Sequence, residues 1–197
     1  MSEPSTRRGK DTKARMVAAA AALMYERGVN AVSIDDIAVA SGTGKGQFYH
    51  YFATKEELVA EVLRHQLEQV LEEQSVFRLD TLDDIRAWLE ALVGMHESRR
   101  RFRGCPLGSI ASEVIDSDPL RARAAEAFSR WESSLANGLR TMLAGGLLRP
   151  GADPEALAEA TIAVLQGGYL LSSIKRDVHP MRNAVSAAVS HLNSFAP

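Results

Sequence analysis

Apolar residues in this chain recur at spacings of three and four, not two, and the segments carrying them are cut by glycine, proline and capping side chains. From Thr12 to Arg27 the sequence is alanine-rich and apolar nearly all round, with Gly28 placed to stop it, the pattern of a helix buried among neighbours. Ser33-Ile-Asp-Asp36 opens a second helix with a capping side chain and an acidic first turn, and Ser41-Gly42-Thr43-Gly44 closes it. A short third helix is expected from about Lys45 to Tyr51. Thr54-Lys-Glu-Glu57 is a capping box ahead of a long amphipathic stretch with Leu58, Val62, Leu67, Val70 and Leu71 on one side. Leu82, Ile85, Trp88, Leu89, Leu92 and Met95 predict a fifth helix, and Cys105 to Ile115 a shorter sixth. Pro119 sits at a first helical position, and the segment it opens runs to Leu143 before Gly145-Gly146. Asp153-Pro154 and His179-Pro180 each restart a helix, giving Pro154 to about Ser173 and Pro180 to about Phe195. There is no Asn-Gly pair flanked by strand-like runs, no alternating β-branched run and no fixed-period repeat, so the pattern predicts an all-α chain of about nine helices.

Composition narrows the class without changing that picture. The 197 residues, 46% apolar and 24% charged, suffice for one globular unit or a small domain plus a medium one. The lone Cys105 forms no internal disulfide, and no spaced Cys/His set offers a metal site, so neither metal nor cofactor is expected and the default location is the cytosol. The longest apolar run, Met16 to Tyr25, is about half of the roughly 20 residues that span a bilayer, and no signal peptide precedes it. Membrane insertion is not expected. The net charge of -2 hides an asymmetry: eight Lys/Arg stand against five Asp/Glu through Lys55, and fifteen against twenty beyond. The basic end is the candidate for meeting a polyanion.

That end contains Ser33 to Phe52, SIDDIAVASGTGKGQFYHYF, laid out as a helix, a glycine turn and a short second helix. Ile34, Ile37, Ala38, Phe48 and Phe52 are spaced to face inward, and Gly42 allows the sharp turn. Lys45, Gln47, Tyr49 and His50 remain outward. Lys45 can donate to guanine O6/N7 or to phosphate, Gln47 can pair with adenine, and Tyr49 and His50 can donate to phosphate or pack on thymine methyls. Gly46 removes bulk where the helix approaches a groove. Two nucleotide signatures that Gly42 to Gly46 grazes both fail: the phosphate loop lacks glycine at Val39 and Ser/Thr at Gly46, and the dinucleotide motif lacks glycine at Gln47.

The stretch Ile37 to Leu58, IAVASGTGKGQFYHYFATKEEL, resembles the N-terminal DNA-binding domain of the TetR family of transcriptional regulators: the Gly42 turn, Lys45-Gly46, Phe48-Tyr-His-Tyr-Phe52 and Lys55-Glu-Glu-Leu58. The motif-level similarity covers about Thr12 to Leu63, and the remainder matches in length and helical pattern. The resemblance implies that the third helix reads bases and phosphates and that Lys55 grips the backbone. The DNA-binding set is therefore Ser33, Thr43, Gly44, Lys45, Gly46, Gln47, Tyr49, His50 and Lys55. Where the family commonly has an apolar residue followed by Ser, this chain has Thr43-Gly44, so the cap of the reading helix is weaker or comes from Thr43. The expected organisation is a flexible basic arm over residues 1–11, a helix-turn-helix domain over 12–54, and a ligand-binding and dimerisation domain over 55–197.

A module of about fifty residues makes few base contacts, so two copies reading the half-sites of a palindromic operator in double-stranded DNA are the economical route to specificity. Met181, Val185, Ala188 and Leu192, continuing to Phe195, form one seam, and Leu157, Thr161, Val164, Gly168 and Leu171 another, which predicts a homodimer through the last two helices. The alternative is that both seams are ordinary core. Gly167-Gly168 would be explained by close helix approach. The resemblance places an inducing ligand among the middle helices, where Trp88, Leu92, Met95, His96, Phe102, Cys105, Leu107, Ile110, Phe128, Trp131 and Leu135 form an apolar set suited to a hydrophobic or aromatic effector, with His96 or Glu113 as a polar anchor. A buried inert Cys105 competes with a redox-sensing one, and Arg99 to Arg103 with a solvated turn or an anion site.

The reading these features favour is a ligand-responsive homodimeric repressor whose effector is of unknown identity. Two others stand beside it: a helical enzyme or metabolite-binding protein with an incidental helix-turn-helix, and a constitutive architectural DNA binder. No His-Glu-x-x-His, no Gly-x-Ser-x-Gly and no carboxylate/His pair at metal-ligand spacing supports the enzyme.

Overall fold

The computed structural model describes residues 6–98 and 103–197; Phe102 and the Arg99–Arg101 run lie outside the described residues. Nine helices and no strand are present among them: α1 (Arg7–Arg27), α2 (Ile34–Ser41), α3 (Lys45–Tyr51), α4 (Lys55–Gln74), α5 (Leu82–Ser98), α6 (Pro106–Ser112), α7 (Asp118–Ala144), α8 (Pro154–Lys175) and α9 (His179–Asn193). The chain folds into two compact units, one of Met1–Gln69 with Pro106–Ala127, the other of Val70–Cys105 with Phe128–Pro197. The first unit therefore includes the first part of α4, all of α6 and the start of α7, more than the expected 12–54.

Local signals set most boundaries. α1 begins five residues before Thr12, because the Thr6 hydroxyl accepts from the Gly9 N–H at 3.1 Å and caps a first turn of polar residues that apolar periodicity does not register. Residues 7–11, expected in an arm, are thus helical. α2 carries the expected capping box: Ser33 Oγ accepts from the Asp36 N–H at 3.1 Å, and Asp36 Oδ2 accepts from the Ser33 N–H at 2.9 Å. Ahead of α4, Thr54 Oγ1 accepts from the Glu57 N–H, while the Glu57 carboxylate reaches back to the Ala53 N–H.

In the first unit Met16, Ala20 and Met24 of α1, Ile37 of α2, Phe48 of α3, its C-cap Phe52, Leu58, Val62 and Leu63 of α4, and Leu107 and Ile110 of α6 are fully or almost fully buried. Each large side chain among them contributes about 1.5–3 kcal/mol by leaving water, which fixes the short α2 and α3 that propensity alone would not hold. In the second unit Ile85, Trp88 and Leu89 of α5, Trp131, Leu135 and Leu139 of α7, Leu165 of α8 and Met181 and Leu192 of α9 are buried likewise. Trp131 Nε1 donates to Gln74 Oε1 at 2.8 Å, and Gln74 Nε2 donates to Ser134 Oγ at 3.2 Å, so a buried amide has both ends satisfied. The loop after α4 crosses α7 at Gly138, with Leu79 at φ +57° and its carbonyl where a Cβ on residue 138 would stand.

Among the described residues α8 is long and apolar enough to cross a bilayer by length and composition. Its apolarity has two uses: Leu157, Ile162 and Leu165 enter the core, while Val164, Leu170, Leu171 and Ile174 stay exposed.

Candidate nucleic-acid interface

Gly42 closes α2 in the left-handed region (φ +65°, ψ +36°), which a side chain resists, and its N–H bonds back to the carbonyls of Ala38 and Val39. Ser41 Oγ bonds the Ile37 carbonyl at 2.7 Å and meets Thr43 Oγ1 at 2.8 Å, so Thr43 shapes the turn, half-buried. The cap of α3 is Gly44, not Thr43. No side chain at the cap position bonds the helix, and the Gln47 amide oxygen instead accepts from the Gly44 N–H at 3.3 Å. Phe48 is buried with Phe52 beside it, ring centroids 5.5 Å apart, and this anchors the inner side of α3.

Gly44, Lys45, Gly46, Gln47, Tyr49 and His50 are consequently exposed on one short helix. The space around Gly44 and Gly46 is open. Tyr49 stands edge-on to Phe48 at 5.3 Å with about half its surface exposed, and His50 lies edge-on to Tyr51 at 4.9 Å. Both residues are exposed, and each ring rests edge-on against an aromatic neighbour. Val39 of α2, which the sequence reading passed over, is 83% exposed; no pattern marks it, because it belongs to neither the buried stripe nor the polar set.

Two members of the expected set have other employment. Ser33 spends its hydroxyl and its N–H on Asp36; these bonds, the side-chain one foremost, hold the Asp36 carboxyl below the usual carboxylate range. Lys55 donates one of its three Nζ protons to the Val29 carbonyl at 2.5 Å. Burial pushes its ammonium below the ordinary lysine range, and the Glu113 carboxylate opposes that shift. Glu113 Oε2 accepts from the Val29 N–H at 2.7 Å and lies against Gly28 (φ +91°). Lys55 and Glu113 thus bond both backbone polar groups of one residue, Val29, between α1 and α2, so Glu113 braces the reading domain's frame. Contacts 26 and 84 residues apart leave no mark in local sequence.

The residues expected around an effector are divided. Leu107 and Ile110 are packed in the core of the first unit. Trp88, Leu92, His96, Cys105, Trp131 and Leu135 are buried in the second, with Met95 and Phe128 half-buried. Phe128 stacks on Trp131 at 6.1 Å, and His96 meets Tyr169 edge-on at 5.2 Å. Phe102 lies outside the described residues.

The seams divide as well. Leu157, Thr161, Gly168, Met181, Val185, Ala188 and Leu192 are buried within the chain itself, the ordinary-core alternative, whereas Val164 and Leu171 are exposed. Gly168 explains part of this: a Cβ there would lie 2.7 Å from Ala184 Cβ, so α8 and α9 meet at that glycine, while Gly167 faces open space. Of the exposed Val164, Leu170, Leu171 and Ile174, Val164 and Leu171 line an open groove of about 510 Å³ with Gly167, Lys175, Asp177, His179 and Asn183.

A glycine-turned helix pair with a buried aromatic base and an outward row of Lys, Gln, Tyr and His, carried on a separate helical unit, defines a DNA-binding regulator. The sequence profile described as bacterial regulatory proteins of the tetR family matches residues 16–62, and that of the transcriptional regulator LmrA/YxaF-like C-terminal domain matches residues 81–187. The chain belongs to the TetR family of transcriptional regulators. It is 28% identical to the HTH-type transcriptional regulator YxaF of Bacillus subtilis over 89% of this chain and 92% of that one, and 30% identical to an HTH-type transcriptional regulator of Mycobacterium tuberculosis over 85% and 87%. The crystal structure of a TetR transcriptional regulator from Chloroflexus aurantiacus superposes with a TM-score of 0.82 at 29% identity, over 97% of this chain and 98% of that one. Regulators of this family bind DNA and function as dimers, and the chain is a transcriptional regulator, not an enzyme.

Proposed function

We propose that the protein is a homodimeric repressor of a palindromic operator, released by a small hydrophobic or aromatic effector. The observation that carries the reading is the exposed Lys45, Gln47, Tyr49 and His50 row on a helix pinned by Phe48 and Phe52. With two such rows about 34–36 Å apart, successive major grooves of one duplex face are read together. The second copy docks on the exposed α8 row of Val164, Leu170, Leu171 and Ile174. A relative supports repression: the HTH-type transcriptional repressor DhaR of Mycobacterium sp. is 27% identical over 81% of each chain. The effector lodges among Met95, Phe128 and the aromatic rings of the second unit, where half-buried apolar groups border buried ones. α4 contributes to both units and is the element through which the two sites communicate.

Selection of bound sites from a random duplex pool tests the reading, with an inverted repeat as the expected product. Lys45→Ala is expected to weaken the selected site by about 1–3 kcal/mol while the dimer persists. By linkage, operator DNA must weaken effector binding by the factor with which effector weakens DNA binding, so equal effector affinities with and without operator reject the switch.

A further inference from the structure

Lys45, the one lysine of the reading row, is not presented to DNA as an isolated charge. Its Nζ stands 3.1 Å from Oδ1 and 3.1 Å from Oδ2 of Asp35, an acidic side chain in the first turn of α2. Both groups are more than half exposed, so the pair adds little to stability. Its place is what matters. Lys45 is the first residue of α3, where the positive end of the helix dipole disfavours a cation, and Asp35 supplies the compensating anion.

A phosphate approaching Lys45 must compete with that carboxylate and meets its repulsion. A base edge does not. The lysine ammonium has three donors; Asp35 takes one, and the others remain for neutral acceptors such as guanine O6 and N7. We infer that Asp35 is a specificity-determining residue of the DNA face: it holds Lys45 back from sequence-independent phosphate contact and leaves it for base edges. Discrimination of this kind comes from a repulsive element against the wrong partner. The inference rests on the DNA-binding reading of α3 and deepens it.

The test measures the full-length protein by fluorescence anisotropy on two duplexes of equal length, the tightest one selected from a random pool and its scrambled counterpart. Asp35→Asn is expected to tighten the scrambled duplex about 3- to 10-fold at low salt and to steepen its slope of log affinity against log salt by about 0.9, one further phosphate neutralised. The selected duplex changes by less than about twofold, so the specificity ratio falls. In a Lys45→Ala background Asp35→Asn leaves the ratio unchanged. Equal tightening of both duplexes, no tightening of the scrambled one, or the same loss of ratio without Lys45 overturns the inference. Wild-type protein that binds neither duplex overturns the DNA-binding reading itself, and is seen before any variant is compared.

Discussion

Gly94 and Gly138 look alike in the sequence, each a glycine inside a long helix, yet they should respond to alanine with opposite signs. Gly94 lies in α5 on the exposed side with nothing within 4 Å of a Cβ built on it. Replacing glycine by alanine in such a place gains about 0.8–1.0 kcal/mol, from helix propensity and the reduced freedom of the unfolded chain. Gly138 lies in α7 beneath the loop after α4. A Cβ there falls onto the Leu79 carbonyl oxygen, 2.9 Å from its carbonyl carbon and 3.2 Å from its Cβ. The obstacle is backbone, at a residue already held at φ +57°, so no rotamer change relieves it. Overpacking costs about 1–3 kcal/mol, and against rigid backbone it falls in the upper part of that range, so a net loss of about 1–2 kcal/mol remains after the propensity gain of about 1. For a chain of this size 1 kcal/mol moves the melting midpoint by about 2–4 °C. Differential scanning calorimetry of Gly94→Ala should therefore show a rise of about 2–4 °C, and Gly138→Ala a fall of at least that size. A Gly138→Ala protein at or above the wild-type midpoint would refute the close crossing of loop and helix.

Ser33→Ala removes the cap of α2 and is expected to cost about 1 kcal/mol in denaturant unfolding near neutral pH. The Ser33 side-chain bond lowers the folded pKa of Asp36, so the part of that contribution resting on the carboxylate exists above the unfolded pKa and is lost as pH falls through the folded one; the gap between variant and wild type should narrow on acidification. Lys55→Met should appear as a lower unfolding midpoint, with little change in the salt dependence of DNA binding, since its Nζ serves the Val29 carbonyl; an unaltered midpoint with a flatter salt slope would return Lys55 to the phosphate role. Leu171→Asp with Ile174→Asp changes only exposed side chains, so light scattering at micromolar concentration should report folded monomers where the wild type is dimeric, and a persistent dimer would move the interface elsewhere.

The legible features share a short reach along the chain. Ser33 and Asp36 are three residues apart and find each other whatever surrounds them, as do Thr54 and Glu57; the left-handed Gly42 and the Phe48 and Phe52 spacing likewise follow from one turn of backbone. Apolar periodicity is blind where a helix begins in polar residues, which is why α1 starts at Arg7 and not Thr12. It is equally blind to which side of an all-round apolar helix meets its own chain. On α8 the seam expected to pair with a second copy is split by burial, with Leu157, Thr161 and Gly168 packed inside and Val164 and Leu171 left outside.

The amino-acid order by itself determined the all-helical fold, the caps of α2 and α4, the turn and the outward row of α3, because each depends on groups within about one helical turn of one another. Only the tertiary structure decided that Lys55 and Glu113 hold the backbone groups of Val29, that Asp35 holds Lys45, that Gly138 yields to a crossing loop while Gly94 yields to nothing, and that Leu107 and Ile110 belong to the first unit. Those pairings join groups ten to eighty-four residues apart or depend on which neighbour fills a space, and their energies exist only once the helices are packed.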